Sequence, residues 1–210
     1  MITISIVGID NCGKTSLVKA LNALEEVHTI HVTACEHSRS KTAKWLGIIF
    51  AAMARFSESR KMRILTGFVY LLHLVPYYFE RNTKRSSRVL ISDRDPIIDT
   101  LCYIECYLPS RLSHILKPSV KWLLERFFTY PTHFCYIEVS PEISLERNGN
   151  NSQLHDGIRS LTRLKELFDE ELNYAVRRGI PVFKINSNIK SFEEVLDEVK
   201  LYLKEATVKN

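Results

Sequence analysis

At 210 residues, with 45% hydrophobic and 25% charged side chains, the chain can form one α/β domain with inserted helices and is too apolar to be globally disordered. A formal charge of +5 suits a small acidic partner and is too modest to argue for nucleic acid. Five cysteines, an odd number without a Cys-x-x-Cys pair, exclude a disulfide framework and point to the reduced cytoplasm; the apolar run at the amino end is too short for a secretion signal.

Ile2 to Val7 is short, β-branched and apolar, as expected of a strand buried on both faces. A helix is predicted over Lys14 to Leu24, with Leu17, Val18, Leu21 and Leu24 at helical spacing, and a second strand over His28 to Ala34. About 42–82 reads as an apolar helical insert. Within it, Ile64 to Phe79 carries no formal charge, falls short of the ~18–20 residues that span a bilayer, and is followed by Arg81, Lys84, Arg85 and Arg88. A buried helix pair and a membrane-surface helix with a basic rim both fit it.

"RVLISDRD" is a third buried strand ending in a polar turn. Ile97 to Phe128 is predicted mostly helical, with breaks near Pro109 and Pro118. Cys102 and Cys106, one turn apart, read as core packing and not as metal ligands. His133 to Val139 is a fourth strand, and Ser140 caps a helix opened by Pro141. A polar loop, a helix over Ile158 to Arg178, a fifth strand in "IPVFKIN" and a closing helix over Ser191 to Lys204 follow. The alternation predicts an α/β fold, a five-stranded, mostly parallel sheet with helices on both faces, in a single domain.

Gly8 to Thr15, "GIDNCGKT", fits Gly-x-x-x-x-Gly-Lys-[Ser/Thr] between a strand and a helix, the context this phosphate-binding loop requires. Glycines let the backbone curl so that N–H groups converge at a helix N-terminus. The binding set is Gly8, Asn11, Cys12, Gly13, Lys14, Thr15 and Ser16, with Lys14 for the outer phosphates and the Thr15 hydroxyl for Mg²⁺. The donor implied is a nucleoside triphosphate, ATP. Asp10, a carboxylate beside a triphosphate, is read as a contact to an acceptor hydroxyl, direct or through the metal. Asp93 and Arg94 end the third strand, where ligands of such sheets bind; Asp93 is a candidate for Mg²⁺ and Arg94 a forked donor for phosphate. Asp95 and Asp99 are expected to be solvated or capping groups.

"GIDNCGKTS", "VLISDRD", "VSPEISLERN", a helix carrying Tyr174 and then "KINSN", in this order through most of the chain, resemble the thymidylate kinase-like family of P-loop nucleoside monophosphate kinases. The resemblance implies a three-layer kinase fold with a short lid over about 147–160. It implies that Asp10 meets the acceptor sugar, that Asp93 and Arg94 serve Mg²⁺ and the acceptor phosphate, that Arg147 opens the lid, and that Asn186 to Asn188 (Ser187 included) lie near the donor base. It also implies a transition-state arginine; the lid loop offers none between Arg147 and Arg159, which leaves Arg159 or Arg163. Two positions depart from the family: Asp95 stands where an aromatic residue usually follows Asp-Arg, and Leu72 and His73 stand where an arginine usually reads thymine.

The leading expectation is an ATP- and Mg²⁺-dependent nucleoside monophosphate kinase with a dTMP-like acceptor. Two alternatives stay open: a P-loop kinase of a sugar or lipid-linked amphiphile at a membrane surface, and an acceptor-independent NTPase. The partners are the nucleoside triphosphate and a small phosphorylatable acceptor. No nucleic acid is expected, since the basic residues flank apolar helices without an aromatic-interleaved groove. A homodimer and peripheral membrane contact stay open.

Overall fold

A computed structural model describes residues 2–24, 27–31, 89–108, 110–148 and 157–208, with isolated helical positions at 45, 48–49, 64–65, 71–72, 74–75 and 78. The rest of the predicted insert and most of the predicted lid loop lie outside the described residues.

Five strands form one sheet: β1 Ile2–Val7, β2 Val27–His31, β3 Val89–Asp93, β4 His133–Glu138 and β5 Val182–Asn186. Their order is β2-β3-β1-β4-β5, and every pairing is parallel. Parallel strands need crossovers, which supply the covering helices and explain why β1 and β3 are buried on both faces. The helices are α1 Lys14–Leu21, α2 Ile98–Tyr107, α3 Ser110–Phe127, α4 Pro141–Asn148, α5 Ile158–Arg177 and α6 Phe192–Val208. α1 packs with α6, while α2 packs with α3 and α5, so the sheet lies between two helical layers.

The larger core cluster gathers Ile4 and Ile6 of β1, Leu17 and Leu21 of α1, Phe168 of α5 and Val199 of α6. A smaller one joins Ile30, Leu90, Ile97, Leu101, Leu124 and Phe128 with Leu74 of the insert. The insert therefore contributes at least one buried anchor. Cys102 is buried in the larger core, and Cys106 packs against it. No helix among the described residues is long and apolar enough to cross a membrane.

Three expectations need correction. α3 runs through Pro118 without a break. Proline removes one backbone donor, but α3 is pinned around it by the burial of Ser113 and Leu124 and by Lys117 and Lys121. α1 ends at Leu21, three residues early, where Asn22 forms the cap and accepts a hydrogen bond from the Thr29 hydroxyl at 2.8 Å. Asp95 and Asp99 are both buried. Asp95 does cap: its Oδ1 accepts the N–H groups of Ile97 and Ile98, each at 2.9 Å.

The sheet topology positions the site. β1 and β3 are neighbours with Ile6 opposite Asp93, so the loop after β1 and the turn after β3 leave the sheet side by side.

Candidate functional site: a phosphate loop closed on an Asp-Arg turn

The loop from Gly8 to Gly13 turns sharply because three residues adopt positive φ: Gly8 (150°), Asn11 (57°) and Gly13 (97°). A Cβ on Gly8 would stand 2.6 Å from the carbonyl oxygen of Ile137 and 2.9 Å from Cys12 Sγ, so the loop passes too close to β4 for any side chain. Gly13 occupies the N-cap position of α1, whose first turn has no acidic residue. That leaves the positive end of the helix available to an anion.

Lys14 is buried. Its ammonium donates to the carbonyl oxygens of Gly8 (2.8 Å) and Ile9 (2.6 Å) and lies 3.5 Å from Cys12 Sγ. The loop's own carbonyls thus hold the cation within its curve. Asn11 Nδ2 is a buried donor with no hydrogen-bond partner among the described residues. A polyphosphate fits both features, since it accepts hydrogen bonds and carries the opposite charge to Lys14.

Across the cleft, the Thr15 hydroxyl donates to Asp93 Oδ2 at 3.0 Å. A hydroxyl and a buried carboxylate this close form an all-oxygen donor set suited to Mg²⁺, which keeps several waters and binds few protein groups. These two residues fit the ion, and the sequence pairs them on the same ground.

Arg94 is a non-glycine residue at φ 80°, a conformation that costs roughly 1–2 kcal/mol. Its backbone N–H donates to Ile6 O at 2.9 Å, which ties the strained turn to β1. Its guanidinium reaches Asp10 Oδ1 at 2.9 Å, the Tyr103 hydroxyl at 2.7 Å and Asp99 Oδ1 at 3.5 Å. The Tyr103 hydroxyl donates to the same oxygen of Asp10 at 2.6 Å. Asp10, Arg94, Tyr103 and Asp99 therefore form one polar cluster between the loop and α2. Burial pushes the Asp99 carboxyl up to about 7, against the opposing pull of Arg94.

Sequence reasoning missed Tyr103 and Asp99 as members of this cluster. A signal for them existed: they lie one helical turn apart on the helix that follows the Asp-Arg turn, hence on one face. Ser144 was also missed; its hydroxyl donates to the backbone carbonyl of Asp10 at 2.7 Å, bracing the loop from α4.

On the β4–β5 side, Arg147 donates to Ser187 Oγ (3.2 Å) and Ser187 O (2.6 Å). Asn188 Oδ1 accepts from Ser140 N, and Asn186 Oδ1 accepts from Asn188 N. The expected donor-base residues are thus brought together. Arg159 and Arg163 are not brought to the phosphate loop. Arg159 is exposed in the first turn of α5. Arg163 is engaged by Glu105 (3.2 Å), Glu166 (3.0 Å) and Glu170 (3.6 Å). Ser16 follows Thr15 in α1 and is exposed.

No protein-family model matches the sequence, and no curated protein matches it. Solved structures do match in fold. Thymidylate kinase from Candida albicans superposes with a TM-score of 0.73 at 14% identity, covering 97% of this chain and 91% of that one. Deoxyadenosine kinase from M. mycoides, solved with bound dATP, gives 0.69 at 12% identity, covering 97% and 100%. At such low identity the likeness is one of fold, and it extends through nearly the whole chain. The chain has the α/β fold of these kinases, a parallel five-stranded sheet flanked by helices.

Proposed function

We propose that this chain is a Mg²⁺-dependent P-loop kinase that transfers the terminal phosphoryl group of ATP to a nucleoside monophosphate-like acceptor, within a single domain. The observation that carries the reading is the closure of the loop on the Asp-Arg turn, Thr15 to Asp93 at 3.0 Å and Asp10 to Arg94 at 2.9 Å. An ordinary strand-turn-helix connection gives no reason to hold Arg94 in a strained conformation against two carboxylates. The fold shared with thymidylate and deoxyadenosine kinases supports the same class.

In such a reaction the protein acts by positioning and by neutralising charge on the transferring group. Backbone N–H groups from Gly8 to Ser16 and the Lys14 ammonium bind the donor phosphates. Thr15 and Asp93 hold Mg²⁺, which supplies charge neutralisation at the outer phosphates when bound. Asp10 receives an acceptor hydroxyl, its carboxylate fixed by Tyr103, and Arg94 offers two parallel donors to an acceptor phosphate. Arg147, Asn186 and Ser187 border the donor base. Arg159 or Arg163 is the candidate transition-state arginine and serves only by leaving its present place, Arg163 by exchanging its glutamate partners. The free thiols of Cys12, Cys102, Cys106 and Cys135 fit a cytoplasmic setting.

A hydroxyl acceptor, such as a nucleoside, is the second reading. Arg94 is already met by carboxylate oxygens at 2.9 and 3.5 Å, which reduces its capacity for a dianionic phosphate. One assay tests both: ADP release from MgATP against a panel of nucleoside monophosphates, nucleosides and sugar compounds. Stimulation by monophosphates supports the first reading, and stimulation by nucleosides alone supports the second. ATP consumption that no acceptor alters, or none at all, refutes the kinase assignment.

A further inference from the structure

Helix α3 carries apolar side chains on two sides: toward the body it buries Leu124 and packs Val120 against the smaller core. Its side toward the body carries lysines: Lys117 lies between Glu105 (2.6 Å) and Glu171 (3.1 Å). Lys121 donates to Glu171 at 2.9 Å and sits 3.7 Å from the centre of the Tyr174 ring. The opposite stripe is Arg111, Ile115, Trp122 and Arg126, spaced so that all four share one helical face. Ile115 and Trp122 are each 69% exposed, and Phe127 on the flank is 58% exposed. A surface helix ordinarily buries its apolar stripe and solvates its charges. α3 does bury such a stripe, so Ile115, Trp122 and Phe127 form a second, uncovered set of large apolar side chains.

The apolar run of the insert meets α3 at the helix's C-terminal end, off the line of Ile115 and Trp122. Tyr78 meets Phe127 and Phe128 edge to face, at 6.3 and 5.9 Å. In that run Leu74 is buried, whereas Leu72 and Val75 are 52% and 53% exposed. Leu72 and Val75 are thus exposed apolar side chains of the insert itself.

Charge selects the occupant. Arg111 and Arg126 bound the stripe and make no ion pair among the described residues. Directly after Tyr78 the sequence adds Arg81, Lys84, Arg85 and Arg88 against Glu80. A two-fold contact of this stripe with its copy would set arginine against arginine away from water. A bilayer interface instead accepts Trp and Phe at headgroup depth and pairs arginines with lipid phosphates. We propose that the outward stripe of α3 docks on the interface of an anionic membrane without spanning it.

The full chain contains two tryptophans, Trp45 and Trp122, so Trp45→Phe leaves Trp122 as the reporter. Its emission is followed during titration with phosphatidylglycerol–phosphatidylcholine vesicles and with phosphatidylcholine alone, beside sedimentation velocity without lipid. The proposal expects a blue shift with the anionic vesicles only, reversed by salt and quenched by lipids brominated near the headgroup. Arg111→Gln combined with Arg126→Gln should weaken vesicle binding roughly thirty-fold, with circular dichroism and melting unchanged. No shift with anionic vesicles, equal binding to phosphatidylcholine, or a lipid-free dimer with Trp122 already blue-shifted would overturn it. None of these readouts requires phosphotransfer, so the outcome is independent of the proposed activity.

Discussion

Replacing Asp99 with asparagine is expected to stabilise the protein above neutral pH. Asp99 is fully buried, and burial lifts its carboxyl from the ordinary 3.8 to about 7 despite the nearby Arg94. Between these values the folded chain holds a proton that the unfolded chain has lost, so stability falls as pH rises through the window. Below it both states are protonated and the contribution is fully present. Above it a charge is forced into a dry site. The span between 3.8 and about 7 corresponds to about 4 kcal/mol, of which roughly a third is already lost at pH 5. The amide of Asp99→Asn keeps an oxygen for the Asp95 N–H, which lies 2.7 Å from the present carboxylate. Its NH2 turns toward Arg94, a conflict of donors costing about 1 kcal/mol. The net expectation is a gain of about 3 kcal/mol at pH 8 and almost none at pH 5. Urea denaturation followed by circular dichroism at both pH values measures it. The same difference between variant and parent at pH 5 and pH 8 would refute the burial argument.

Lys14→Ala and Arg94→Ala should each lower turnover by about 10²–10³ while leaving the melting transition cooperative, as read by ADP release and calorimetry; wild-type-like rates in both would remove the site from this cleft. Gly8→Ala puts a Cβ against the backbone of β4, 2.6 Å from Ile137 O, and imposes a disfavoured φ. It should cost about 2–3 kcal/mol of stability and abolish protection of the protein by ATP in thermal melts. Tyr103→Phe removes a hydroxyl that touches both Asp10 and Arg94. Its expected effect is a 10- to 100-fold fall in kcat/KM for the acceptor, with KM for ATP unchanged; an equal change for both substrates would argue against a role on the acceptor side.

Local patterns carried a large part of this protein. β1 appears over Ile2–Val7 as its apolar β-branched run predicts, and Ser140 caps α4 through the Ile143 N–H at 3.3 Å. The phosphate loop is legible because the chemistry is consecutive: the residues that curl the backbone, and the lysine and threonine that follow, are neighbours in the chain. The place of Asp93 and Arg94 beside the loop is legible for a related reason, since they end the strand that pairs with β1.

What lay beyond the sequence is contact between distant segments. Asp95 and Asp99 read as solvated or capping groups, and their burial follows only once β3 lies beside β1 and α2 packs by the loop. Asp95 then meets Ser5 at 3.0 Å across 90 residues, and Asp99 meets a guanidinium. Pro118 looks like a break because propensity is local, whereas the ion pairs that hold α3 through it come from α2 and α5. The outward stripe of α3 was invisible for the same reason: periodicity shows that a helix has two unlike faces, and only tertiary packing decides which one turns inward.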